Sequence, residues 1–307
     1  RDCYHHRHHT IIIWRQQPRQ HHHRRVEMPA IEETTALGTC AAAEDLGHLA
    51  RLQHREGGAG LDREVDAAVL AELGYDGFGG RPATAKAFAA ELGKRQVAFV
   101  NAYHVTKFAH DATELPADLV QAIQALEGLE ATLWLGIQQV RLPVGLKAGP
   151  TTGDTVVIPA LKQALVLAKA KRVKLSLYPH AGFWADKGDA CLRVANAVDD
   201  PDLGVTFNLC HWLKVEGAER DPVPVIKAAL PRLNFITING ADGGDTRKLG
   251  WDKLIQPLGR GTYDVKTFVA NARAAGYRGP FGFQGYAIKM EPKALLKETM
   301  EAWKGMK

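Results

Sequence analysis

The chain has 307 residues, 46% of them hydrophobic and 24% charged, a globular composition outside the disordered, collagen-like and disulfide-scaffold ranges. Its four cysteines form no Cys-x-x-Cys, and no apolar run approaches the 18 residues of a membrane span, so a membrane protein and a small secreted scaffold are excluded. The formal charge of +5 is concentrated at the start: six Arg against Asp2 and Glu27 give +4 in residues 1–30, leaving +1 for the rest. A basic stripe for nucleic acid is therefore not expected on the folded body.

Residues 1–30 also hold seven of the 13 His and lack helical or strand periodicity. Such composition builds no core, so residues 1–60 are expected to be an extension, disordered or foreign to the folded protein. The short run Ile11–Trp14 makes a poor signal peptide, since His and Arg crowd both sides and no small-residue cleavage site follows, so a cytoplasmic protein is expected.

From residue 61 the pattern becomes regular. The spacing predicts helices over 63–73, 83–95, 117–126, 155–171, 187–198, 223–230, 264–275 and 292–304. Between them it predicts strands over 75–80, 97–105, 131–138, 173–180, 203–211, 234–242 and 279–288. Strand starts fall 22 to 45 residues apart, the rhythm of parallel strands joined by crossover helices. No Gly-x-Gly-x-x-Gly or P-loop turn follows any strand, so a nucleotide-binding open sheet loses its usual mark. Polar residues instead stand at many strand ends: Asn101, His104, Gln138, His180, Asn208, His211, Asn239, Asp242 and Gln284. A ring of polar groups at strand C-termini is where a TIM barrel keeps its site. The expected fold is α/β, a TIM (β/α)8-type barrel over 61–307 whose first strand is weak or missing.

Within that ring, a His after Tyr178-Pro179 faces the mouth as base, acid or metal ligand. Asn208 and His211, three apart, reach one ligand if the strand turns after Leu209. Cys210 between them is expected to pack as a small apolar residue. Asn239 to Asp245 forms a polar, Gly-rich strand exit, suited to a metal, to sugar hydroxyls or simply to a turn.

The segments SLYPHAGFW (176–184), LGVTFNLCHWL (203–213), FITINGAD (235–242), IQPLGRGTYD (255–264) and GYRGPFGFQGY (276–286) resemble the sugar phosphate isomerase/epimerase group of the xylose isomerase-like TIM barrels. The resemblance implies a carbohydrate substrate and a divalent metal held by Glu, Asp, His and Glu from the last four strands. Carried across, the first Glu falls near Tyr178, the Asp on Asn208, the His near Thr237 or Asn239, and the last Glu on Gln284. Only the His of the Asp-x-x-His pair survives, as His211. Every expected anionic ligand is neutral here, so a divalent metal is doubtful and the remaining metal candidates are His180, His211 and Asp242. Restoring carboxylates at 208 and 284 is expected to restore metal affinity.

The leading expectation is thus an isomerase or epimerase that moves a proton next to a carbonyl of a sugar or polyol. His180 and His211 are its catalytic pair, and Asn101, Gln138, Tyr178, Asn208, Asn239, Asp242 and Gln284 bind substrate. The alternative is a catalytically silent sugar-binding barrel. An endonuclease-like DNA-repair barrel is disfavoured, because it needs clustered metal ligands and phosphate-binding charge. No nucleic-acid or membrane partner is expected.

Overall fold

The structure is a computed structural model and describes residues 11–14, 66–146, 149 and 151–306. Seven parallel strands alternate with helices, as the spacing predicts. In chain order they are β2 (Gly77–Gly80), β3 (Ala98–Ala109), β4 (Thr132–Arg141), β5 (Lys174–Leu177), β6 (Leu203–Asn208), β7 (Leu233–Ile238) and β8 (Phe281–Gln284). The helices are α1 (Ala67–Leu73), α2 (Ala85–Gly93), α3 (Ala117–Ala125), α4 (Asp154–Ala170), α5 (Gly188–Val198), α6 (Leu209–Val215), α7 (Val223–Ala229), α8 (Trp251–Leu254), α9 (Val265–Ala274) and α10 (Pro292–Lys304).

The place of the missing first strand is taken from an unexpected quarter. Residues Ile11–Trp14 form β1, which pairs with both β2 and β8 and closes the barrel. Both pairings are antiparallel, with Ile11 opposite Gly79 on one side and Gln284 on the other. This corrects the reading of residues 1–30 as devoid of strand: four apolar residues suffice when two open sheet edges flank them. The remainder of 1–60, and the boundary drawn at 61, lie outside the described residues.

Side-chain alternation divides the molecule into two apolar regions. Outward residues of the strands pack under the helices: Phe207 meets Trp212 and Phe268, and Phe281 meets Trp303, with ring centroids 5.4 to 5.6 Å apart. Inward residues form a separate cluster of Tyr103, Trp134, Tyr178 and Phe235 at the barrel's centre. The barrel is filled, as closed eight-stranded barrels are, but by aromatic and polar residues rather than branched aliphatics.

Candidate active site

Strand β5 ends where proline removes a ladder donor. Tyr178 N still donates to Leu135 O at 2.9 Å, which keeps its ring inside the barrel, and Pro179 then turns the chain out. The turn closes through Phe183 N to His180 O (3.0 Å) and His180 N to Ala185 O (3.1 Å). His180 is thereby held at the mouth, its ring stacked on Phe183 at 3.9 Å.

Strand β6 is shorter than its sequence suggests, stopping at Asn208 rather than running to His211, because Asn208 is a helix cap. Its side-chain oxygen accepts from His211 N and α6 starts at once. That turn brings the His211 ring to 4.0 Å from the His180 ring, with Trp251 edge-on at 5.3 Å.

Hydrogen bonds assign complementary tautomers to the two imidazoles. His180 Nδ1 lies 2.9 Å from Ala181 O, which can only accept, so Nδ1 carries the proton and Nε2 is the basic nitrogen. His211 Nδ1 accepts from Ala181 N at 3.3 Å, so its proton is on Nε2. Burial pulls the His180 pKa down to about 4, against the opposing effect of its bond to Ala181, so it is neutral at pH 7. The pair thus offers one base and one donor.

Beneath the histidines lies a neutral network. The Tyr178 hydroxyl donates to Gln284 Oε1 at 3.0 Å, and Asn208 Nδ2 donates to the same oxygen at 2.7 Å and to the Tyr178 hydroxyl. Asn208 Oδ1 faces the other way, accepting from Cys210 Sγ at 3.1 Å and His211 N at 3.5 Å. Tyr178 and Gln284 are fully buried and Asn208 is 1% exposed. Burial drives the Tyr178 phenol well above its ordinary pKa, and raises the Cys210 thiol too, so both stay protonated. Three positions that the family resemblance marks for metal ligands therefore do converge, as an amide, a phenol and an amide.

Other residues of the expected ring fall elsewhere. Asn239 is buried after β7, where its Nδ2 donates to Gly240 O (2.8 Å) and Leu254 O (2.5 Å) and pins the loop to α8. Asp242 is half-buried in that loop, and its backbone N donates to Lys253 O. Gln138 is half-buried near the end of β4, the extra residue of a bulge against β3. Asn101 is fourth of twelve residues in β3, opposite Gly79 and Thr132, so it lies deep in the barrel rather than at a strand tip. His104 turns outward to Asp118 of the α3 first turn, 3.5 Å away. Arg260, in the Gly-Arg-Gly loop, is bonded to both carboxylate oxygens of Glu298 at 2.5 and 2.7 Å. Sequence reasoning missed the aromatic walls, Tyr103, Trp134, Phe183, Phe235 and Trp251. The first two share sequence parity with Asn101 and Gln138, and that was the available signal. Gly136 belongs with them, since a Cβ there would stand 2.8 Å from the Tyr103 hydroxyl and 3.0 Å from Phe183.

A divalent metal does not fit these residues. Hard cations take carboxylate and carbonyl oxygens, whereas Asn208 presents an N–H₂ group to the point of convergence. Among the described residues no three His, Cys, Asp or Glu side chains gather as a metal would require, so His180, His211 and Asp242 do not assemble the rearranged site.

A family model described as "xylose isomerase-like TIM barrel" matches residues 67–306. The chain belongs to that family. No curated protein matches it. Among solved structures, this xylose isomerase-like barrel is similar to the IolI protein with a bound zinc atom, at 12% identity and TM-score 0.61, over 78% of this chain and 91% of that one. It is similar to the D-psicose 3-epimerase of Clostridium cellulolyticum H10 solved with D-tagatose, at 12% identity and TM-score 0.60, over 79% and 93%. It is also similar to the 3-keto-D-glucoside 4-epimerase YcjR of E. coli, at 15% identity and TM-score 0.57, over 79% and 92%. At such identities the likeness carries the fold. Among the described residues no helix is long and apolar enough to cross a membrane.

Proposed function

We propose that this barrel acts on a carbohydrate or polyol at its C-terminal mouth, in the cytoplasm, moving a proton next to a carbonyl without a metal. The observation that carries the reading is the pair of neutral imidazoles, 4.0 Å apart, with a basic Nε2 on His180 and an N–H on His211 Nε2. His180 takes the proton from the carbon beside the carbonyl, and His211 donates a hydrogen bond to the oxygen as enediolate charge develops there. Return of the proton by His180 to the neighbouring carbon, with His211 Nε2 giving its proton to the first oxygen and taking the hydroxyl proton of the second, completes an isomerisation. In an epimerisation solvent delivers the proton to the other face while His180 releases the one it took. Gln138 and Asp242, half-buried at the rim, are the groups that reach substrate hydroxyls. Tyr178, Asn208, Asn239 and Gln284 act from below as a fixed floor. The similar structures, two of them named as sugar epimerases, support the substrate class.

A silent sugar-binding barrel is the second reading. It is favoured by the bonding of Asn208 and Gln284 to each other rather than toward the mouth.

Deuterium wash-in separates the two. The full chain is incubated in D₂O with a panel of ketoses and aldoses, and carbon-bound deuterium is read by mass spectrometry. Incorporation that falls about 100-fold or more in His180→Gln is expected, the usual size of a general-base contribution. A sugar-dependent rise in melting temperature with no incorporation establishes the silent reading instead.

A further inference from the structure

The zinc recorded in the similar IolI structure raises the question of what stands at the corresponding place in this chain. We infer that the Tyr178 hydroxyl fills the position a cation would need, and that Tyr178, rather than the lost carboxylates alone, keeps divalent metal out of this barrel. The inference extends the metal-free reading above, but it concerns occupancy and not turnover.

The argument is geometric. Asn208 and Gln284 approach to 2.7 Å, and the point they share is reached by one further group, the phenol oxygen, within hydrogen-bond distance of both. A divalent ion needs oxygen ligands at roughly 2.0–2.6 Å and several of them. Here the shared point is already an oxygen, fixed by a ring that Tyr103 meets edge-on at 4.9 Å and Trp134 stacks on at 5.5 Å. The ring has nowhere to swing in so dense a cluster. Polarity reinforces the block. Asn208 Oδ1 is committed to capping α6, so its positive amide edge faces inward.

This changes what restored carboxylates should do. In Asn208→Asp with Gln284→Glu, the phenol proton remains between the two acids as their donor. Two buried like charges side by side then raise one carboxyl pKa, so the pair holds a proton instead of a metal. Removing the phenol opens the position.

The test uses the full chain, stripped of metal, with Mn²⁺ as the probe and free Mn²⁺ followed by electron paramagnetic resonance. Four proteins are compared: the parent, the double variant Asn208→Asp/Gln284→Glu, Tyr178→Ser, and the triple variant. Any Mn²⁺ taken up by the N-terminal histidines is common to all four. The parent and the double variant are expected to be indistinguishable. The triple variant is expected to gain one site per chain, at least tenfold tighter than any in the parent. Gain of the same site by the double variant, with Tyr178 in place, overturns the inference.

A second measurement holds even if the triple variant does not fold. In the parent labelled at tyrosine, millimolar Mn²⁺ should leave the Tyr178 ring signals, identified with Tyr178→Phe, unbroadened. Selective broadening of Tyr178 places the ion inside the barrel and also overturns it. Deuterium wash-in is unaffected by either outcome, so failure here and failure of the proton-transfer reading are told apart.

Discussion

The inside of this barrel and the layer between its strands and helices follow opposite rules. Outside, the strands present Phe207, Phe281, Phe283 and leucines, and the helices answer with Phe268, Leu295, Leu296 and Trp303, all buried. Inside, four aromatic rings share the space with Asn101, Ser176, Asn208, Thr237, Asn239 and Gln284, every one at most 1% exposed. Several inner polar atoms, among them Asn101 Oδ1, Ser176 Oγ and Thr237 Oγ1, have no hydrogen-bond partner among the described residues. Buried polar groups of that kind weaken a fold. The outer layer therefore supplies the stability, and the inner one gives some of it up.

The largest expected effect breaks the outer layer. Trp303→Ala removes a fully buried ring packed on Phe281 and under the Arg273 guanidinium, and should cost about 3–5 kcal/mol in denaturant melts. A cost below 1 kcal/mol would mean that the helix layer is not what holds the barrel.

Next comes His180, the inner group whose protonation the fold resists. Its folded pKa of about 4 lies below the unfolded value of about 6.5. The unfolded chain therefore binds the extra proton first as pH drops. The stability from keeping His180 neutral is full above pH 6.5 and is lost progressively down to about pH 4, roughly 3 kcal/mol in all. Melts between pH 7.5 and 4.5 should show the parent losing more stability than His180→Gln; parallel curves would contradict the burial argument.

A smaller effect is expected at Asn208. Asn208→Ala deletes the α6 cap and the amide that binds Tyr178 and Gln284, and should cost about 1–2 kcal/mol. Asn208→Asp keeps the cap, so it should recover the α6 part of that loss. The smallest belongs to Ser176, where Ser176→Ala removes a hydroxyl that none of the described residues satisfies and should be neutral or slightly stabilising. A loss above 1 kcal/mol would show that the hydroxyl does have a partner.

How much of this was legible in the sequence follows the same division. The outer layer was: seven strands and their helices come from apolar periodicity, and α10 (Pro292–Lys304) matches to the residue, started by Pro292 after the Glu291 cap. Errors gather at strand tips, where chemistry interrupts the pattern. Strand β6 reads through to His211 because Leu209-Cys210-His211 continues an apolar run, yet Asn208 caps a helix there. Strand β3 runs on to Ala109, beyond the expected Val105, which turns Asn101 from a tip into an interior residue. The meeting of His180 with His211 was legible, since each follows a strand of adjacent order. The convergence of Tyr178, Asn208 and Gln284 was legible only through the family resemblance, because three neutral residues 30 and 76 positions apart carry no spacing signal of their own. Strand β1 escaped notice, since four residues amid His and Arg show no period.

The stacked pair at the barrel's centre has an optical consequence. Trp134 lies 24° from parallel to Tyr178, with ring centroids 5.5 Å apart and neither ring reached by solvent. Two chromophores fixed so closely should couple, giving a near-ultraviolet circular dichroism band that vanishes when tertiary packing is lost. The chain has six tryptophans, so the band is isolated as the difference between the parent and Trp134→Phe. Light absorbed by this stack then reports the state of the barrel's interior directly, with no added probe.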